Sequence, residues 1–124
     1  MDQTTLAQVT MYLREHPSTF LATVAGQEPW VRAMWVARID DDGTLWYATE
    51  LHSNKVMQIR QNPCVSVAGG EGQHGFRLFG IAEVVTDPAQ KASLWQESWT
   101  TYFTGADDPN LALLKITPSR VEVW

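Results

Sequence analysis

The chain has 124 residues, which suits one domain that buries roughly two thirds of its unfolded surface. Its formal net charge is −5, so no overall positive field favours nucleic acid or an anionic membrane surface as a partner. A single cysteine excludes an internal disulfide, and no apolar run approaches the ~20 residues of a membrane-spanning helix. We expect one cytoplasmic domain over residues 1–124, in which any anionic ligand is held by a local group of donors.

The first predicted element is a helix from Thr5 to Glu15, where apolar residues recur every three or four positions. Thr4 or Thr5 is expected to cap it. Three strands follow, joined by tight hairpin turns at residues 25–28 and 40–43, each of which contains a glycine. These strands, which are expected to form an antiparallel meander, are Phe20–Val24, Trp30–Ile39 and Leu45–Thr49.

The stretch from Leu45 to Val67 organises the rest of the chain, because a strand leads there directly into a helix. Ser53 occupies the expected N-cap position, where its hydroxyl can accept a bond from the first helical turn. The helix is expected to end at Asn62, since Pro63 cannot donate a backbone bond and disfavours helical geometry in the residue before it. The residues predicted to face inward are Val56, Met57 and Ile59.

The sequence pattern of the second half of the chain predicts further strands and one more helix. Asp87 and Pro88 form a typical N-cap and first helical residue, and Gly80 favours a bulge within its strand. The helix is expected to carry Ala92, Leu94, Trp95 and Trp99, with Tyr102 as an extension. The strands are Cys64–Ala68, broken by the glycines of 69–72, then Phe76–Thr86, Leu111–Ile116 and Arg120–Trp124. This pattern predicts a mainly β protein with helices (α+β), built as a six- to seven-stranded antiparallel split barrel.

Several common catalytic and binding motifs are absent. The chain lacks the glycine-rich signature GxxxxGK[ST], and its three histidines show no metal-ligand spacing. No serine lies in a nucleophile-elbow context. We therefore expect no bound metal and no serine-based acyl transfer.

Four residues instead predict a phosphate site. Thr49 ends the third predicted strand, and Ser53 and Lys55 open the following helix. Arg32 lies on the neighbouring strand of the expected meander. A guanidinium, an ammonium, two hydroxyls and the N–H groups of a helix start suit a phosphate monoester dianion. The alternative is that Ser53 only caps the helix while both cations are solvated.

Five segments carry a resemblance to a known family, and together they cover most of the chain. They are FLATV (20–24), VRAMW (31–35), LWYATELHSNKVMQIRQNPCVSV (45–67), FGIAEVV (79–85) and TGADDPNLALLKITPSRVEVW (104–124). The most specific part is WYAT followed by SNK and IRQNP. The chain resembles the pyridoxamine 5′-phosphate oxidase-related superfamily of FMN-binding split β-barrels, and within it the general stress protein 26-like group.

The resemblance implies a homodimer that binds FMN in two grooves at the subunit interface. FAD or a deazaflavin are alternatives, and haem is less favoured because no histidine lies on the expected flavin face. The resemblance implies that Arg32, Ala33, Met34 and Trp35 lie along the flavin, with Arg32 near the phosphate. It implies that Ala48 and Thr49 lie beside the ribityl chain. Ser53, Asn54 and Lys55 are implied to hold the phosphate.

Three later aromatic residues, Trp99, Tyr102 and Phe103, have two equal interpretations: they cover the flavin of the partner subunit, or they pack in the dimer core. Asn54 replaces a basic residue that the true oxidases usually have, and the arginine- and histidine-containing substrate elements near their C-terminus are missing. Oxidation of pyridoxamine phosphate is therefore not expected. The leading hypothesis is an FMN-dependent redox enzyme using a reduced nicotinamide, and the alternative is a flavin carrier or stress sensor without turnover.

Overall fold

The computed structural model describes residues 1–124 as seven strands, three α-helices and one 3-10 helix. The longest helix has 13 residues, and none is long and apolar enough to cross a membrane. In chain order the elements are α1 (Gln3–Glu15), β1 (Ser18–Ala25), β2 (Glu28–Trp35), β3 (Arg38–Ile39), β4 (Leu45–Glu50), α2 (Asn54–Gln61), β5 (Cys64–Glu71), β6 (His74–Val85), α3 (Pro88–Leu94), the 3-10 helix (Glu97–Thr101) and β7 (Leu111–Val123).

All seven strands belong to one antiparallel sheet in the order β2-β1-β5-β6-β7-β4-β3. The prediction of a mainly β, antiparallel protein with helices is confirmed. The sheet does not close, because β2 and β3 each pair with a single neighbour. Its inner face surrounds one apolar core to which β1, β4, β6 and β7 contribute Leu21, Tyr47, Leu78 and Leu114, all fully buried.

Two helices cover this inner core. The apolar stripe of α1, with Leu6, Val9 and Leu13, is buried there, as its three- and four-residue spacing predicts. From α2, Val56 and Ile59 reach the same core. Met57, which was also expected to point inward, is 56% exposed, and this part of the prediction is wrong.

The outer face of the sheet is covered over only part of its width. Trp46 and Leu113, on β4 and β7, pack there with Leu94 and Trp99 from the segment that contains α3 and the 3-10 helix. The outer face of β1, β2, β5 and β6 has no such cover. Four of its large apolar side chains are more than 45% exposed: Phe20, Val31, Trp35 and Ile81.

The expected three-strand meander is wrong. β4 pairs with β7 and with the short β3, whereas β2 pairs only with β1. The predicted strand Trp30–Ile39 breaks after Trp35, because the next two backbone N–H groups take new partners. Val36 donates to the carbonyl of Pro17, and Ala37 donates to that of Trp46, each at 2.8 Å. The chain thus leaves one end of the sheet and joins the other.

Near the C-terminus, the two predicted strands form a single strand, β7. The interruption expected at Thr117-Pro118 is instead a bulge, since the register with β6 shifts between Phe79 and Gly80. Gly80 is confirmed as the close-approach point: a Cβ there would lie 2.7 Å from the carbonyl oxygen of Thr117. Similarly, β5 continues through its glycines to Glu71 instead of breaking at Gly69.

The helix ends agree partly with the predictions. Asp2, not Thr4 or Thr5, caps α1, and its carboxylate accepts the backbone N–H of Thr4 at 3.0 Å. Asp87 and Pro88 start α3 as predicted. That helix ends at Leu94, because Trp95 adopts an extended ψ of 135°. Trp99 therefore lies on the separate 3-10 helix.

Candidate functional site

The corner between β4 and α2 brings together three of the predicted phosphate ligands. Lys55 Nζ donates to Thr49 Oγ1 at 3.0 Å, and the hydroxyls of Thr49 and Ser53 are 3.4 Å apart. Ser53 occupies the N-cap position with extended backbone, but its side chain makes no capping bond to α2, so that part of the prediction is wrong. The first-turn N–H groups of a helix have no partner within the helix, so here they stay available to a ligand.

Arg32 reaches the same corner by a route that the sequence did not reveal. Its guanidinium points to the inner face of β2, where it donates to Thr23 Oγ1 at 2.8 Å and to the carbonyl of Leu21 at 3.2 Å. It also donates to Gln58 Oε1 at 3.1 Å. Gln58 is three residues beyond Lys55 on α2, so the two lie on neighbouring positions of one helix face. The helix, and not strand pairing, brings Arg32 towards Lys55.

Gln58 and Thr23 are the polar residues of this corner that the sequence analysis missed. Both are buried, and their side chains hydrogen-bond each other. A signal for Gln58 did exist: it lies between Val56 and Ile59 on the buried side of α2, where an amide needs a partner.

The two cations lack an acidic partner. The four ion pairs of the chain involve Arg14, His16, Arg38 and Arg77, and neither Arg32 nor Lys55 lies within 4.0 Å of a carboxylate. Burial lowers the pKa of Arg32. Burial also lowers the pKa of Lys55, the positive charge of Arg32 lowers it further, and Glu50 opposes these effects. An anion bound at the corner would compensate both charges, so the geometry suits a compact phosphate group.

The remaining predicted residues are distributed around this corner. β2 is an edge strand, so every second residue of Arg32–Trp35 presents its backbone N–H and C=O away from β1. The Met34 side chain packs against the inner core, while Ala33 and Trp35 are exposed on the outer face. Ala48 lies opposite Leu113 and is half-buried, and Asn54, the first residue of α2, is exposed.

The three aromatic residues considered for covering a flavin differ in exposure. Trp99 packs on the outer cluster that contains Trp46, and Phe103 is 7% exposed. Only Tyr102 is freely exposed, at 73%. Together with Glu50 and His52 it lines a cavity of about 260 Å³ next to the β4–α2 corner.

Comparison with known proteins identifies the family of this chain. A family model described as pyridoxamine 5′-phosphate oxidase like matches residues 4–124. The chain belongs to this family. General stress protein 26 of Bacillus subtilis (strain 168) is 28% identical over 129 aligned positions, which cover 99% of this chain and 91% of that protein.

Solved structures of similar proteins agree with this assignment. General stress protein 26 from Bacillus anthracis str. Sterne superposes with a TM-score of 0.82 at 26% identity, covering 95% of this chain and 92% of that one. The general stress FMN/FAD binding protein from Xanthomonas citri has a TM-score of 0.84 at 22% identity, covering 99% of this chain and 89% of that one. At this lower identity the likeness concerns the fold. The sequence-based resemblance to the oxidase-related superfamily and its general stress protein 26-like group is confirmed.

The lowered pKa of Lys55 predicts how stability depends on pH. Because the folded chain binds this proton less tightly than the unfolded chain, stability increases as pH rises from the folded pKa to the ordinary lysine value. Lys55→Met removes this contribution, so wild type should gain stability relative to the variant between pH 7 and 10.5. We expect a gain of less than about 1 kcal/mol, since Lys55 is only half-buried and one full pKa unit corresponds to about 1.4 kcal/mol. Urea unfolding of both ligand-free proteins measures it, and parallel pH profiles would contradict the coupling.

Proposed function

We propose that this protein binds FMN at the β4–α2 corner and acts as a flavin-dependent oxidoreductase. The observation that carries the proposal is the pair Arg32 and Lys55, two neighbouring cations without a carboxylate partner. Beside them lie the hydroxyls of Thr49 and Ser53 and the N-terminus of α2. This donor set matches the charge and size of a terminal phosphate ester. Asn54 would contribute its backbone at the helix start in place of the additional cation.

The flavin itself would extend from the corner along the free edge of β2. Edge-strand backbone groups of Arg32–Trp35 offer donors and acceptors of the kind that a flavin ring can use, and Ala48 and Thr49 would border the ribityl chain. The description of the Xanthomonas citri relative as FMN/FAD binding supports a flavin. FAD and a deazaflavin are alternatives, because the cavity lined by Glu50, His52 and Tyr102 gives room beside the corner to a longer phosphate tail.

When bound, the flavin supplies the chemistry of hydride and electron transfer. The chain would hold the phosphate, orient the ring against β2 and restrict the access of water. We nominate no side chain as a general acid or base, and we do not propose oxidation of pyridoxamine phosphate. The single cysteine agrees with a reducing compartment, and we place the protein in the cytoplasm.

The phosphate assignment predicts a difference between two flavins. Replacing both Arg32 and Lys55 with Ala should weaken FMN at least about 100-fold, because charge-assisted hydrogen bonds contribute roughly 1.5–3 kcal/mol each. Riboflavin, which lacks the phosphate, should lose less than about fivefold. Flavin fluorescence titrations measure both affinities, with Arg60→Ala, an exposed cation at the other end of α2, as the matched control. Equal losses for the two flavins would refute the assignment.

The proposal includes a homodimer formed through the uncovered outer face of the sheet. Val31 and Trp35 on β2, Phe20 on β1 and Ile81 on β6 are exposed on this face, and apolar side chains exposed together on one face typically mark a protein interface. A second copy packed on this face would bury these side chains and complete the flavin groove.

Val31→Glu should therefore convert a dimer into a monomer and weaken FMN at least about tenfold, because it buries a charge in the interface. Met11→Glu, at a 70% exposed site on α1, is the matched control and should change neither property. Analytical ultracentrifugation with parallel FMN titration tests this. A wild-type monomer that binds FMN with full affinity would contradict the dimer.

Turnover separates the redox enzyme from the carrier or stress sensor. If the protein is an oxidoreductase, the FMN-loaded form should oxidise NADH or NADPH in the steady state with a small acceptor such as a quinone. The Arg32→Ala, Lys55→Ala double variant should lose this activity together with its FMN. Tight FMN binding without turnover for any acceptor would favour the carrier.

A further inference from the structure

A second cavity lies away from the β4–α2 corner, between α1 and the hairpin of β5 and β6. Its volume is about 400 Å³, within the usual range for small-molecule sites. Tyr12, Phe76 and Trp124 supply aromatic walls, and on the hairpin side Gly70 and Gly75 carry no side chains beside those of Glu71 and His74. None of the residues assigned to the flavin lines it. The cavity is thus independent of the proposed phosphate site.

Its walls are held in place by specific contacts. The backbones of Gly75 and Trp124 exchange two hydrogen bonds of 3.0 Å. A Cβ on Gly75 would lie 2.7 Å from the indole ring, so only glycine lets this ring lie against the hairpin. On the opposite side, Tyr12 stacks on His16 and meets Phe76 edge-on, with ring centres 4.5 and 5.9 Å away. Aromatic side chains on both sides of the cavity suit a flat aromatic ligand.

The charges around the opening are mainly acidic. Glu71 lies on the rim with its side chain 73% exposed, and its nearest basic group is His16 Nδ1 at 3.5 Å. Glu15 lies at the same opening, in the wider groove that continues from the cavity, and has no ion-pair partner. The Arg77 guanidinium, 5.1 Å from the Trp124 ring centre, is paired with Glu122 at 3.0 Å. Around neutral pH and above, the rim therefore attracts cations and repels anions.

We propose that this cavity binds a flat aromatic cation, such as a quaternised pyridinium ring. Aromatic walls and acidic rim act together, because ring faces attract cations and carboxylates add a weaker attraction at the opening. The wider groove, of about 610 Å³, leads from Tyr12 and Trp124 to Phe20 on β1 and Trp35 at the end of β2.

The test uses three small rings that differ in charge: 1-methylnicotinamide (cationic), nicotinamide (neutral) and nicotinate (anionic). Affinities are measured by calorimetry at pH 8. The ligand-free protein and the FMN-loaded protein are measured separately, so a failure of flavin binding leaves the cavity result interpretable. The cation should bind in saturable fashion and at least fivefold more tightly than nicotinate.

Two variants locate the effect. Glu71→Gln, an exposed substitution that should not disturb folding, is expected to reduce the preference for the cation about threefold, whereas Glu97→Gln on the distant 3-10 helix should not. Tyr12→Ala should weaken all three rings, and its melting temperature reports whether it is folded. In ¹⁵N spectra the indole N–H signal of Trp124, assigned through Trp124→Phe, should shift on binding. No saturable binding, an equal affinity for nicotinate, or an unmoved Trp124 signal would overturn the proposal.

Discussion

The structure depends on one buried polar junction, in which Gln58 of α2 accepts hydrogen bonds from Arg32 of β2 and Thr23 of β1. A buried amide oxygen without partners would cost about 1–3 kcal/mol, so α2 is constrained to lie against this end of the sheet. Since α2 directly follows β4, the junction also fixes the end of β4. The end strands of this open sheet do not pair with each other. The junction therefore fixes the position of the β4–α2 corner relative to β2.

The same junction explains how an acidic chain can offer a site to an anion. Overall charge would repel a phosphate, but Arg32 and Lys55 are held together where burial lowers the pKa of each. Polar contacts to Thr23, Thr49 and Gln58 engage some of their N–H groups without neutralising the charges. The fold accepts some electrostatic repulsion between these two cations, which a bound anion would relieve.

The outer face of the sheet has two parts that differ in how far they are covered. Around β4 and β7 the outer face is covered by Trp46, Leu94 and Trp99 and contributes to stability. Around β1 and β2 the apolar side chains are exposed, with the free edge of β2 beside them, which is the arrangement that a second copy and a flavin would complete. The cavity behind α1 adjoins this second part through Trp35. Cofactor, partner and ring ligand would thus be gathered on one side of the protein.

The sequence alone determined those features of the structure that depend on residues close together in the chain. The periodicity of apolar residues predicted α1, Pro63 predicted the end of α2, and Asp87 and Pro88 predicted the start of α3. Gly80 predicted the bulge. The spacing of Thr49, Ser53 and Lys55 predicted the β4–α2 corner. Only the tertiary structure decided which strands pair, because pairing of β4 with β7 joins segments more than 60 residues apart and no local pattern encodes it. For the same reason the role of Gln58, the approach of Arg32 from the far end of the sheet, and the cavity between Tyr12 and Trp124 appeared only in the folded chain. Each depends on residues that are far apart in the sequence and that only the packed fold brings together.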